Sequence, residues 1–203
     1  LPRTYRIDAL ACEGCGVCAH FCEARAIDFA PAVCGQWFLS STRCGPMVHA
    51  RMQPGAENSG KLVTVIRQQA RQIAAERQSE WILCDGSPGI GCPVIASLTG
   101  ADLALIVVEP TVSGLHDFRR VAQLARQLTV PARLVVNKAD LNDRIAAAME
   151  DEAAEAGVAS VGRIPYDRAV THAQLSRQAV VQASDGPAAR AIREVWPALQ
   201  KAI

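Results

Sequence analysis

Trp81-Ile-Leu-Cys-Asp85-Gly-Ser-Pro88-Gly89-Ile-Gly-Cys-Pro93 is the stretch on which the reading of this chain turns. Apolar residues run into a single aspartate, and a Gly/Pro-rich bend follows before apolar sequence resumes. A short apolar run bounded by turn residues reads as a buried strand of a parallel sheet. The carboxylate of Asp85 then stands at the strand's C-terminal edge, where open α/β sheets bind ligands. In phosphate-handling proteins an acid at that place suits Mg2+, held directly or through water. Gly89 has no side chain in the way, so its backbone N–H can approach a terminal phosphate. On this window alone, an ordinary strand and turn whose aspartate caps the next helix fits as well.

The residues that follow favour the phosphate reading. Residues 93–98 start a short helix, and residues 103–109 form another buried strand ending in Glu109-Pro110-Thr111. Ser113 is expected to cap a helix with Leu115, Phe118, Val121, Leu124 and Leu128 on one face. Residues 133–136 form a third strand, running into Asn137-Lys138-Ala139-Asp140. This is the N-K-x-D pattern of the base-binding edge of P-loop NTPases, where the asparagine amide reads a purine edge and the lysine stem packs on the ring. Alone it arises often by chance; directly after a buried strand, and two strands beyond an Asp-x-x-Pro-Gly, it is far more specific. Asn142 caps a further helix to about Ala156, ended by Gly157. Residues 158–164 form a fourth strand, closing in Ile164-Pro165-Tyr166-Asp167. A terminal amphipathic helix starts near Pro187 with Ile192, Val195, Trp196 and Leu199, and Pro197 is expected to kink or end it. Cys84, inside the first strand, reads as a core thiol.

Upstream, Gly55-Ala-Glu-Asn-Ser-Gly60-Lys61-Leu62 is nearly a P-loop, failing at the last position because Leu62 has no hydroxyl for Mg2+. It opens a helix, since Leu62, Val65, Ile66, Gln69 and Ile73 keep helical spacing to about Gln78. A helix N-terminus beside Lys61 attracts anions, so this is a phosphate-side switch element more than a primary P-loop. Residues 35–53 read as two short strands around a turn, with His49 on a strand face.

Before them stands Cys12-x-x-Cys15-x-x-Cys18-x-x-x-Cys22, the ferredoxin-type spacing for a [4Fe-4S] cluster. Gly14 and Gly16 let the backbone wrap a cluster and donate N–H bonds to its sulfurs. Zinc is the rival, yet zinc sites use two separated cysteine pairs more often than one ladder. Glu23 follows Cys22 where two-cluster ferredoxins have proline, so either Cys22 closes a single cluster or ligands are shared with a ladder upstream. Cys34 and Cys44 are weaker candidates, read as packing residues.

Composition sets the outer limits. With 203 residues, half of them apolar, the chain is long enough for one good core and a small appendage. Twenty-one bases against twenty acids indicate neither disorder nor a nucleic-acid surface. No apolar run approaches membrane-spanning length and no signal pattern is present, which points to a cytoplasmic protein. Eight cysteines, four of them in residues 12–22, favour a metal or cluster site over a disulfide scaffold. The start at Leu1 reads as a piece of something longer.

The ladder, the Asp85 block continuing to Asp102, Glu-Pro-Thr-Val-Ser-Gly-Leu-His116 and Asn-Lys-Ala-Asp-Leu-Asn142, in that order, closely resemble MinD/ParA-type P-loop ATPases that carry an inserted ferredoxin domain. These belong to the CobQ/CobB/MinD/ParA nucleotide-binding superfamily. The resemblance implies an α/β fold, a mostly parallel sheet with helices on both faces, incomplete at its N-terminus, with a ferredoxin-like segment over residues 1–34 and a nucleotide-binding domain over residues 35–203. It implies ATP, Mg2+ and a [4Fe-4S] cluster as ligands, ATP hydrolysis in the intact protein, a homodimer, and a redox or cluster-acceptor protein as partner. Carried over by position, Asp85 looks like the Mg2+-side carboxylate, Gly89 the γ-phosphate sensor and Asn137 the adenine reader beside Asp140. Pro165, Tyr166 and Asp167 look like the loop flanking the base. The family's Pro-Pro-Gly is Ser87-Pro88-Gly89 here. The family's P-loop and first cysteine ladder are expected before Leu1. An iron–sulfur carrier or scaffold that uses nucleotide state only for partner docking is the alternative. A cobyrinic acid a,c-diamide synthase ranks lower, because no glutaminase Cys/His pair is seen.

Overall fold

The computed structural model describes residues 6–8, 11–12, 14–30, 33, 35–53 and 60–202. The chain divides into two units, Leu1–Asp85 and Gly86–Ile203. Among the described residues no helix is long and apolar enough to cross a membrane.

In the N-terminal unit, α1 is a single turn, Val17–His20, that follows Gly16 in a left-handed conformation. Strands β1 (Gly35–Thr42) and β2 (Gly45–Met52) form the expected antiparallel hairpin. Gly45 closes its turn at φ 119°, and the Thr42 hydroxyl donates to the Gly45 carbonyl at 2.7 Å. His49 lies opposite Phe38 in the register, stacks on its ring and shares a 2.9 Å hydrogen bond with the Ser40 hydroxyl. It is the strand-face histidine the alternation predicts. Cys44 is exposed in the hairpin turn and packs no core, because a turn residue points into solvent. Cys34 and residues 54–59, which include most of the near-P-loop, lie outside the described residues. Helix α2 (Gly60–Arg77) begins within that motif, as expected, and packs on β2.

The stretch at 81–85 departs from expectation. Residues 81–87 have no regular secondary structure, Leu83 is 80% exposed, and Cys84 is an exposed thiol instead of a core one. A buried strand exists only when neighbouring strands take up its N–H and C=O groups. Among the described residues no strand pairs with this segment. Without that ladder, burying its backbone costs more than its apolar side chains return.

In the C-terminal unit the predicted pattern is realised as α3 (Cys92–Leu98), β3 (Ala104–Val108), α4 (Val112–Gln127), β4 (Ala132–Asn137), α5 (Asp143–Glu155) and β5 (Ala159–Ile164). The three strands pair in parallel in the order β3-β4-β5, with Ile106 beside Leu134 and Val108 beside Val136. Alternate residues of β3 and β4 face α4 and α5 and bury Ile106, Val108, Leu134 and Val136 with Phe118 and Met149. Each large side chain so buried stabilises by about 1.5–3 kcal/mol. Val135, on the opposite face, is buried too, whereas Leu105 and Val107 of β3 on that face are exposed.

Two short helices not foreseen in the sequence follow, α6 (Arg168–Leu175) and α7 (Val180–Ala183), before α8 (Pro187–Gln200) packs on β5. The helix cap before α4 is Thr111 and not Ser113: the Thr111 hydroxyl accepts the Gly114 N–H at 2.9 Å. Ser113 is instead already helical and bonds the Thr111 hydroxyl at 3.1 Å. Pro197 does not end α8, which runs three residues past it. Placed in the final turn, a proline disrupts little of the ladder beyond itself, and Val195 anchors that turn in the core.

Candidate functional site

Because β3, β4 and β5 are parallel, the residues that leave their C-terminal ends share one rim, the edge at which open α/β sheets bind ligands. Glu109 leaves β3, Asn137 ends β4, and Pro165, Tyr166 and Asp167 follow β5. Apolar residues drive the strands inward, and the polar residues that terminate them are left at the rim.

Asn137 is half-buried at the last position of β4, beside Ile164 in the register. Lys138 turns the chain through a left-handed conformation, φ 53° and ψ 42°, into one turn of 3-10 helix over Ala139–Leu141. Buried Ala139 anchors that turn. The Lys138 ammonium reaches back to Glu109, with Nζ 2.6 Å from Oε1. Both side chains are more than a third exposed, so the pair contributes under about 1 kcal/mol to stability. Its geometric effect is larger, since it joins the loops after β3 and β4. Asp140 makes the second tie: its Oδ1 accepts the backbone N–H of Tyr166 at 2.6 Å. The loops after β4 and β5 are thereby held together.

Asp167, expected beside the base, also joins the starts of two helices. Its Oδ1 accepts the Ala169 N–H at 2.8 Å, capping α6, and its Oδ2 accepts the Ala188 N–H at 3.4 Å in the first turn of α8. Gly114 fits where it does because a Cβ there would stand 2.3 Å from the Glu109 carbonyl oxygen. The run from Glu109 to Gly114 carries part of the resemblance, but its spacing gives Glu109, Thr111 and Gly114 no role of their own. The only signal for them was the Glu109-Pro-Thr-Val-Ser-Gly114 run itself, with a hydroxyl and a glycine at a helix start.

Two further ion pairs brace the unit away from the rim. Arg163 donates from Nε to Glu150 Oε2 at 3.0 Å, and the Ser160 hydroxyl donates to Oε1 at 3.0 Å. The hydrogen bonds from Arg163 hold the Glu150 carboxyl below its ordinary pKa, against the opposing effect of partial burial. Arg119 makes a bidentate contact with Glu152, at 2.6 Å on both arms, and lowers that carboxyl likewise.

The structure thus brings together Asn137, Asp140, Pro165 and Tyr166, with Lys138 and Asp167 beside them. Asp85 and Lys61 belong to the N-terminal unit, Lys61 as the second residue of α2. Asp85 does not cap the following helix, whose N-cap is Gly91. Gly89 adopts φ 87°, a conformation that glycine favours, with open space where a Cβ would stand.

Cys12, Cys15 and Cys18 are exposed free thiols and Cys22 is half-buried. Gly14 and Gly16 turn the chain at φ 67° and 74°. The Gly14 N–H donates to Cys12 Sγ at 3.4 Å and the Ala26 N–H to Cys22 Sγ at 3.3 Å. The donor set suits thiolate ligation in chemistry and spacing. Among the described residues, no three His, Cys, Asp or Glu side chains converge as a metal site.

No family model matches the chain. It is similar to two uncharacterised proteins of Methanocaldococcus jannaschii. MJ0578 is 34% identical over 98 residues, 48% of this chain and 34% of the relative. MJ0579 is 26% identical over 132 residues, 65% of this chain and 46% of the relative. The chain therefore spans less than half the length of either. Among solved structures it is similar to MinD of Aquifex aeolicus (TM-score 0.61, 23% identity, 80% of this chain and 68% of that one). The cell division ATPase MinD of Pyrococcus furiosus gives a TM-score of 0.60 at 20% identity, covering 73% of this chain and 60% of that one. MinD of Pyrococcus horikoshii, solved with Mg-ADP, gives 0.56 at 16% identity, over 72% and 58%. These likenesses show a MinD-like α/β fold.

Proposed function

We propose that this chain is part of a MinD-like ATPase whose nucleotide cycle is coupled to an iron–sulfur segment. The observation that carries the nucleotide half is the rim: Asn137 and the Pro165–Tyr166 loop end adjacent parallel strands and are tied by the 2.6 Å Asp140–Tyr166 bond. A MinD-like protein solved with Mg-ADP supports the same ligand class.

In this reading the Asn137 carboxamide reads the adenine edge, and Pro165, Tyr166 and Asp167 flank the base. Asp85 holds Mg2+, the Gly89 N–H meets the γ-phosphate, and Lys61 lies on the phosphate side. Catalysis rests on positioning and on fixed donors that neutralise charge on the transferred phosphoryl group. The thiols of Cys12, Cys15, Cys18 and Cys22 are the ligands for a [4Fe-4S] cluster, and a bound cluster supplies one-electron chemistry. The Gly14 and Ala26 N–H groups would lower the charge on two of those sulfurs. A homodimer, a redox or cluster-acceptor partner and a cytoplasmic setting, where thiols stay reduced, complete the proposal.

The test is anaerobic purification of the full-length protein, with iron and sulfide analysis and ATPase assay. Iron and sulfide in equal amounts, with hydrolysis lost in Asn137→Ala, support it. Zinc in place of iron, or activity indifferent to that substitution, refutes it. A second reading, an iron–sulfur carrier that uses nucleotide only for docking, draws on the cysteine ladder and the Asn137 rim falling in separate units. Cluster transfer to an acceptor that is unchanged in Asp85→Asn favours the carrier.

A further inference from the structure

Glu109 stands on a backbone fixed from both sides. It lies between buried Val108, the last residue of β3, and buried Pro110, whose ring sets its own φ. Its carbonyl oxygen accepts the Thr111 N–H at 2.8 Å and leaves room only for a glycine at position 114, where a Cβ would stand 2.3 Å away. Val108 is the register partner of Val136, so Glu109 leaves its strand level with Asn137, and its carboxylate meets the following residue, Lys138, at 2.6 Å. Lys138 carries the bend of the loop after β4. It is left-handed at φ 53° and ψ 42°, and its carbonyl accepts the Leu141 N–H at 3.0 Å to close the 3-10 turn. That conformation is costly for a residue with a Cβ, and a lysine has no short polar group to offset it locally. An ion pair between two part-exposed side chains is too weak to hold a fold, but it is of the right order to decide the population of one turn.

We infer, resting on the nucleotide reading above, that Glu109 is a positioning residue for nucleotide binding. It acts through Lys138 to keep the turn over residues 137–141 in the shape that receives the base, without touching the nucleotide itself. The apparent dissociation constant of a ligand rises in inverse proportion to the fraction of protein in the binding shape. Loss of Glu109 lowers that fraction and weakens binding, while the phosphate end of the site keeps its residues. The signature is a raised Kd with kcat held, the pattern of an interaction equally present in ground and transition states. A lysine that served the nucleotide directly, with Glu109 a bystander, predicts otherwise. Its loss would cost more than that of Glu109, and the two losses would add.

The experiment measures ATP affinity by calorimetry, kcat for hydrolysis and the thermal midpoint in the full-length protein and in its Glu109→Ala, Lys138→Met and double variants. Lys138→Met keeps the stem and removes the ammonium. Glu109→Ala should weaken ATP about fivefold, with kcat within about twofold of wild type. Its midpoint should fall by no more than about 4 °C, as for a lost surface ion pair. Lys138→Met should match it, and the double variant should bind no more weakly than either single one. Unchanged affinity in Glu109→Ala, a kcat that falls while affinity holds, or losses that add in the double variant overturn the role of Glu109 and leave the nucleotide reading intact. A larger fall in the midpoint also overturns it, by marking the pair as structural. A wild type that does not bind ATP overturns both.

Discussion

The Asp167 carboxylate accepts the backbone N–H of Ala188, 21 residues further along the chain, while also capping its own helix at Ala169. One side chain therefore satisfies the starts of α6 and α8 and fastens the C-terminal helix to the loop after β5. Asp167→Ala should destabilise the C-terminal unit by about 1–2 kcal/mol, the upper part of the range for a lost cap. Urea titration of that variant checks this. Loss of under half a kcal/mol would mean the second bond contributes nothing. Gly186→Ala should also destabilise, because its Cβ would stand 2.6 Å from the same carboxylate oxygen.

Gly114 lies inside α4, where helix propensity alone favours alanine by about 1 kcal/mol. The 2.3 Å approach to the Glu109 carbonyl reverses that sign, since the neighbour is backbone and has nowhere to yield. Gly114→Ala is expected to lower stability by about 1–3 kcal/mol and to loosen the Glu109 loop. A thermal midpoint at or above wild type refutes it.

Acid should release the Glu150–Arg163 pair. The folded-state pKa of Glu150 lies below its ordinary 4.5, so the stabilisation is present in full above that value. It is lost as pH falls through the lower, folded value. The group is partly exposed, so the loss is modest, about 0.5–1 kcal/mol. Denaturation of wild type and Glu150→Gln across pH 3 to 7 measures it: the two curves should converge at the acid end and separate above pH 4.5. Parallel curves count against the pair.

The 203-residue chain alone should bind Mg-ATP weakly or not at all, since it contains only a near-P-loop at Gly55–Leu62. Calorimetry decides, and tight binding by this chain refutes the expectation. In the full-length protein, Asn137→Ala should weaken ATP by about tenfold or more, as loss of a base-reading amide does.

Leu105 and Val107 present exposed apolar side chains on β3, 38% and 57% exposed, at an end of the three-strand order. Unpaired apolar strand edges associate. The 203-residue chain should self-associate with rising concentration, and Leu105→Lys with Val107→Thr should reduce this in light scattering. Equal scattering from both proteins would show that this edge is not the adhesive surface.

Much of the C-terminal unit is legible residue by residue. Asn142 caps α5 through its side chain, Gly157 follows it at φ 76°, and the apolar runs before Glu109, Asn137 and Pro165 are strands within a residue or two of their expected bounds. These signals are local: a cap bonds three residues away, and a strand's alternation is written in its own side chains. By the same logic Asn137, Asp140 and Tyr166 were expected at one rim, and the parallel order of β3, β4 and β5 places them there.

What only the tertiary structure decided is every feature that depends on a partner distant in sequence. An apolar run such as Trp81-Ile-Leu-Cys84 looks alike whether it is a central strand or an exposed segment, because its fate turns on whether another strand completes its hydrogen bonds. The second bond of Asp167 to Ala188, the hold of Glu109 on Lys138 and the turning of Asp140 toward Tyr166 are likewise invisible in any short window. Amino-acid type determines what a side chain can donate or accept, and the folded chain determines which partner comes within 3 Å of it.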